Sequence, residues 1–266
     1  MEYIVLTREA LATLSQGMHR FLTNSAVHDV YDREFDRAFT GIALRHDISL
    51  DTATRPAGRG YGMEVEVSLN SAVSIPHAVT TEHVTAWLRS DFLYRGFGRQ
   101  FSIQKDGTVP YGFEVVTGVL DELHLRRAMG VLVDSAALRM MWDSNANTGV
   151  HFTVDKFPHS WQTLLFYNMF NDKDFLRAFK DVIGRNPNRF CKVSGFVRTI
   201  RDAKSFGKYS AVNIRKNGSI EVRLFRTDLT KLAQQFDLVR RVEAKVLNAR
   251  KPKDLATSLQ DLKDSF

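Results

Sequence analysis

The chain has 266 residues, of which 44% are hydrophobic and 25% charged. Values this ordinary exclude a disordered, collagenous or coiled-coil protein, and the length fits one large domain or two small ones. With 37 Lys+Arg against 30 Asp+Glu the formal charge is +7, which points mildly to anionic partners but is thin for a dedicated DNA binder. Apolar runs fall far short of the ~20 residues of a membrane span. The opening MEYIVLTREALATL has an acidic residue at position 2 and no long apolar stretch, so no secretory leader is expected. Cys191 is the only cysteine. That excludes an intrachain disulfide, argues against a cysteine-based zinc site and fits a reducing cytoplasm.

Residues 1–55 read as a helical N-terminal segment. Leu11, Leu14 and Met18 recur at helical spacing, as do Val27, Tyr31, Phe35 and Phe39. The stretch Arg55-Pro56-Ala57-Gly58-Arg59-Gly60-Tyr61-Gly62 is rich in helix breakers and ends that segment. From there the period changes to two. Residues 63–69 (MEVEVSL), 112–117 (GFEVVT), 148–155 (TGVHFTVD), 209–215 (YSAVNIR) and 219–226 (SIEVRLFR) read as strands. Asn217-Gly218 between the last two is a hairpin signal, because a type I′ turn needs positive φ at both central positions.

Helices are expected between the strands. One is capped by Thr80 or Thr81 and runs to about Phe92; one is capped by Asp121 and runs to about Met141. A third covers 160–180, and a fourth runs from an Asp228 cap to about Asn248. Trp87, Trp142 and Trp161 fall in helices and read as core. The charged tail 251–266 is expected to be frayed or loosely docked. Alternating strands and a hairpin favour antiparallel pairing with one covered face. The fold class is therefore α+β: a curved, mainly antiparallel sheet with helices on one face and a polar, open face on the other.

The alternation sorts the side chains. Met63, Val65, Val67 and Leu69 point one way and Glu64, Glu66 and Ser68 the other. Phe113 and Val115 oppose Glu114; Val150, Phe152 and Val154 oppose His151, Thr153 and Asp155; Ile220, Val222 and Leu224 oppose Glu221, Arg223 and Phe225. If these strands share a sheet, its non-core side is a floor of carboxylates. Two like charges about 4 Å apart cost about 4 kcal/mol at an effective dielectric near 20, and cations relieve that repulsion. Oxygen-rich donors with one histidine suit Mg2+ or Mn2+ better than zinc. Arg223 then remains to meet phosphate, for which a planar guanidinium is suited.

The order of these motifs resembles the carboxylate–amine ligase superfamily of glutamine synthetase and glutamate–cysteine ligase, and more closely its small phage and bacterial amidoligase group. Gly62-Met63-Glu64-Val65-Glu66 is similar to the family's opening Gly-x-Glu-x-Glu strand. Asp106-Gly107-Thr108 followed by Gly112-Phe113-Glu114-Val115 resembles its second motif. Asn147, Gly149 and His151 resemble its third, Asn-x-x-Gly-x-His-x-His, with a one-residue shorter gap and Thr153 in place of the second histidine. Lys208-Tyr209 through Asn213, then Glu221-Val222-Arg223, resemble its last two. Arg185, Arg189 and Lys192 fall where the group has an Arg-rich segment. The likeness covers residues 60–245 and leaves 1–55 unexplained.

The resemblance implies a glutamine-synthetase-like catalytic core over 56–250 and an ATP-dependent, cytoplasmic ligase, in the bacterial host cytoplasm if phage-encoded. It implies that Glu64, Glu66, Glu114, His151 and Glu221 hold two or more Mg2+ or Mn2+ ions. Arg223 would touch the transferred phosphate. Thr153, Arg185, Arg189, Lys192 and Lys208 would face nucleotide phosphates, with Arg198 or Arg201 as further substitutes for the missing histidine. Asp106 would order the site or take a proton from the amine, or else simply make a turn. The partners implied are ATP and carboxylate and amine substrates, an anionic one being favoured by the charge; no membrane and no direct nucleic-acid partner is expected. Two other readings stay open: a metal-dependent nuclease or phosphotransferase acting on nucleic acid without ATP, and a non-catalytic binding protein on the same scaffold.

Overall fold

The structure, a computed structural model, describes residues 58–69, 101–106, 112–135, 142–143, 148–186 and 191–266. They belong to one compact unit, Ala53–Asn70 with Leu88–Phe266; a second unit, Met1–Thr52 with Ser71–Trp87, falls outside them. The expected helices over 1–55 and 80–92 therefore lie outside the described residues, as do Trp87 and Arg189.

Among the described residues seven strands build one sheet, six of them along its main path: β1 (Tyr61–Leu69), β2 (Phe101–Asp106), β3 (Gly112–Thr117), β5 (Gly149–Val154), β6 (Val212–Ile214) and β7 (Ile220–Arg226). Their order is β2-β3-β1-β5-β7-β6, and the two-residue β4 (Trp142–Asp143) pairs with the end of β1. Every pair is antiparallel. β2 was not expected, although Phe101 and Ile103 are buried and alternate with exposed Ser102 and Gln104. Trp142 belongs to a strand and not to a helix, because helix α1 (Glu122–Asp134) ends where Ser135 turns to extended backbone rather than running on to Met141.

Met63, Val65, Val115, Val150, Phe152, Val154, Ile220 and Val222 form the buried apolar face. The long helix α6 (Leu232–Asn248) covers it, laying Phe236 against Tyr61 and Phe152 at 5.5 Å between ring centroids. Burial of this kind contributes about 1.5–3 kcal/mol per large side chain. β7 breaks strict alternation. Val150 faces Phe225 and Phe152 faces Val222, so Arg223 and Leu224 together stand opposite His151. This bulge carries Phe225 to the core face, 5.5 Å from Phe152, and not to the polar face where period two places it.

The stretch 160–180 is not one helix. It divides into α2 (Ser160–Met169), α3 (Lys173–Ala178) and α4 (Lys180–Ile183) because Asp172 accepts from the backbone N–H groups of Asp174 and Phe175 and starts a new helix. Short α5 (Ile200–Ser205) precedes β6. The tail is docked, not frayed: α7 (Leu255–Asp264) is capped by Asp254 and buries Leu259 and Leu262, and Phe266 packs on Phe175 and Phe179. Its charges cover only one face of an amphipathic helix. No helix among the described residues is long and apolar enough to cross a membrane.

The β6–β7 hairpin closes differently from a two-residue turn. The Arg215 carbonyl accepts from Gly218 N–H, and Arg215 N–H donates to the Ser219 carbonyl. Gly218 has φ +87° and supplies the left-handed residue of a three-residue loop. Gly218→Ala should cost about 1–2 kcal/mol in urea denaturation, since an L side chain is strained there; an unchanged midpoint would show that the turn relaxes freely.

Candidate functional site

The sheet register decides which polar groups meet. Glu64 on β1 is the direct cross-strand partner of His151 on β5, and Thr153 on β5 is that of Glu221 on β7. Glu66 and Glu114 are direct partners across β1 and β3. Glu64, Glu66, His151 and Glu221 thus converge from three strands on the face opposite the apolar core.

Their contacts are tight. His151 Nδ1 lies 3.0 Å from Glu64 Oε2 and 3.7 Å from Glu221 Oε1, and Nε2 lies 3.4 Å from Glu66 Oε1. The last contact is not a hydrogen bond, so Nε2 is buried without one. Glu66 accepts from Gly149 N–H at 2.6 Å. Glu221 accepts from Asn213 Nδ2, Arg215 Nη2 and Arg223 Nη1, each at 3.1 Å. The same Arg215 nitrogen donates to Glu64 Oε1 at 3.1 Å.

This floor is polar, as alternation predicts, but its centre is not open. Glu66, His151 and Glu221 are 6%, 2% and 2% exposed. Part of the cover comes from Arg185. An added Cβ at Gly149 would run into its Nη1, so glycine makes room for that guanidinium while its N–H serves Glu66. Arg185 donates to the Arg223 carbonyl at 2.9 Å and so braces β7 instead of standing free for phosphate. Cys191 is buried beside it. Burial pushes its thiol up, Arg185 and Arg223 pull it down, and Glu66 adds to the rise. That thiol is a structural group, though nearer the acids than its sequence position suggests.

Other expected residues are placed less centrally. Lys192 is exposed, and its backbone bridges to Tyr209 and Ala211. Arg198 and Arg201 are exposed. Asp106 pairs with Gly112, and Gly112 with Ser68, so its backbone is level with a point four residues along β1 from Glu64 and two strands away. That is about 13 Å along the strands and about 10 Å across them, so register does not bring Asp106 to this group. The side chains of Asp106 and Lys208 lie outside the described part. Arg215 is the site residue that sequence reading missed; its signal was the period of two that puts it on the face of Asn213.

A cleft reaches this group at the end of the sheet where β1 begins, lined by Gly60, Gly62, Glu64, Thr153, Arg215, Asn217 and Ser219 among others. Thr153 thus lines the cleft that opens onto the acids. The donor atoms of Glu64, His151 and Glu221 lie within 4.8 Å of one another. An octahedral ion with bonds of about 2.1 Å needs ligands roughly 3.0 Å apart when adjacent and roughly 4.2 Å apart when opposite. The spacing and the carboxylate-rich donor set fit a hard divalent cation, which His151 would meet through Nδ1, the nitrogen that faces Glu64 and Glu221.

Burial raises the Glu64 carboxyl, but the hydrogen bond and charge of His151, then Arg215, overcome it and hold the pKa at about 2. A depressed carboxylate pKa contributes stability above its unfolded value, and that stability is lost as pH falls through the folded one. The stability difference between wild type and Glu64→Gln should therefore shrink steadily from about pH 4.5 toward pH 2 in urea titrations. A difference independent of pH would contradict this environment for Glu64.

No family model matches the chain, and no curated protein matches it in sequence. Among solved structures it is similar to the glutamine synthetase of Plasmodium falciparum, seen by cryo-electron microscopy, at 10% identity and a TM-score of 0.40. The match covers 73% of this chain and 52% of that one, so this chain spans about half the length of the enzyme chain it matches.

Proposed function

We propose that the chain is an ATP- and Mg2+- or Mn2+-dependent ligase that joins a carboxylate to an amine through an acyl phosphate, with 56–250 as its catalytic unit. The observation that carries this reading is the meeting of Glu64, Glu66, His151 and Glu221 from three strands, with Arg215 and Arg223 against them. It is the motif set whose order resembles the amidoligase group.

In this reading Glu64, His151 and Glu221 hold one cation, and Glu66 with its neighbour Glu114 extends the site toward a second. Bound cations supply positive charge that offsets the carboxylates and polarises phosphoryl oxygens. Arg223 neutralises charge on the γ-phosphoryl group as it passes from ATP to the substrate carboxylate oxygen, ADP leaving. The amine nitrogen then bonds to the acyl carbon, phosphate departs with the carbon–oxygen pair, and the nitrogen gives up a proton. Thr153 donates a hydrogen bond to nucleotide phosphate from the cleft wall. Burial of Glu66, His151 and Glu221 strengthens the charge interactions among them.

The test is incubation with ATP, Mg2+ and pools of carboxylic acids and amines, following ADP, phosphate and new amides together. Amide formed with ADP and phosphate in equal amounts supports the proposal. Cleavage of DNA or RNA with Mg2+ and no ATP would favour the phosphodiesterase reading, and no turnover with any pool would favour a binding protein.

A further inference from the structure

We infer that Arg215 is a built-in counter-cation that holds the acidic group together when no metal is bound and competes with the divalent ion for Glu64 and Glu221. The inference rests on the cation-binding reading just proposed, and it names how that site is gated. One nitrogen, Arg215 Nη2, lies 3.1 Å from Glu64 Oε1 and 3.1 Å from Glu221 Oε1. These carboxylates come from β1 and β7, which are separated by β5. Arg215 thus bridges the two acids from non-neighbouring strands that a shared cation would bridge.

Its position lets it leave. Arg215 follows β6, and its backbone closes the hairpin turn at Gly218. Its side chain is 39% exposed and lines the cleft, whereas the Glu221 side chain it touches is 3% exposed. A single nitrogen shared between two acids is also a weaker hold than the two-pronged fork of a guanidinium on one carboxylate. Arg223 is the contrasting case: its side chain is only 18% exposed, against 39% for Arg215.

The charge balance points the same way. Arg215 places one positive charge directly between Glu64 and Glu221, beside those that Arg223 and Arg185 already bring to the group. Swinging Arg215 into the cleft removes that charge from the two acids, and a divalent ion replaces it with two. The displaced guanidinium stays in the cleft, on the path of an incoming polyphosphate.

Mn2+ binding to the full chain, measured by calorimetry, tests this. Arg215→Gln should bind Mn2+ at least about tenfold more tightly than wild type, since a full positive charge a few ångströms from the ion is gone. Arg215→Lys, which keeps the charge, should stay within about threefold of wild type. In wild type, saturating Mn2+ should increase phenylglyoxal modification of Arg215 severalfold, a readout that needs no variant to fold. Equal or weaker Mn2+ binding by Arg215→Gln, or modification of Arg215 unchanged by Mn2+, would overturn the gate while leaving the cation site standing. Wild type that binds no Mn2+, or Glu64→Gln that binds it as well as wild type, would overturn the site and the gate together.

Discussion

Glu221→Gln should lower Mg2+-dependent ligation by about a thousandfold or more, the scale on which losing an anchor of transition-state charge is felt. Glu221 is the most heavily engaged acid of the group, with Asn213, Arg215 and Arg223 all donating to it and His151 3.7 Å away. Glutamine has the same shape, and its carbonyl oxygen still accepts from the guanidiniums. Its uncharged amide is a much weaker ligand for a hard cation than a carboxylate, and it leaves two arginines with one counter-charge fewer. The variant should therefore remain folded, with near-ultraviolet circular dichroism like that of wild type, and fail at Mg2+-dependent ATP turnover. Turnover within about threefold of wild type would remove Glu221 from the site.

The second large effect lies on the opposite face of the sheet. Glu243 on α6 is fully buried and accepts from Arg59, Arg240 and Tyr61. Arg59 also donates to the carbonyls of Asp155 and Lys156, so this cluster clamps the start of β1 to the end of β5. Burial, then the Glu243 charge, raises the Tyr61 phenol above its ordinary value, as expected for a ring wedged against a buried carboxylate. Glu243→Ala removes the buried acceptor shared by two partly buried guanidiniums and a phenol, leaving Arg240 only Glu122 and Arg59 only the Asp155 and Lys156 carbonyls, and opens a void under β1. It should cost about 3–5 kcal/mol in urea denaturation. The site should suffer as well, because the strand it loosens carries Glu64 and Glu66. A loss below about 1 kcal/mol would show that the cluster exchanges readily with water.

How much of this was legible beforehand depended on the range of the determining contacts. The faces of Glu64, Glu66, Glu114 and His151 follow from period two alone, because β1, β3 and β5 carry no bulge at those residues. Phe225 was misplaced because one extra residue in β7 inverts every side chain beyond it, and that bulge is set by pairing with β5. The short α1 and the break at Asp172 reflect caps that outcompete helical periodicity. The docked α7 was hidden by its charges, although Leu255, Leu259 and Leu262 trace an apolar stripe behind the Asp254 cap. Nothing in the neighbourhood of the acids foretold their burial. That depends on Arg185 crossing to Gly149 and on Arg215 folding back from the hairpin, both contacts between distant parts of the chain.

Every role proposed for these residues requires three strands to build one grip for a hard cation. Crystals grown with Mn2+, with anomalous scattering recorded at the manganese edge, measure that directly. The expected result is a peak touching the carboxylates of Glu64 and Glu221 and the imidazole of His151, with Arg215 turned away from both acids. Well-ordered density for these side chains at saturating Mn2+, with no peak among them, would contradict it.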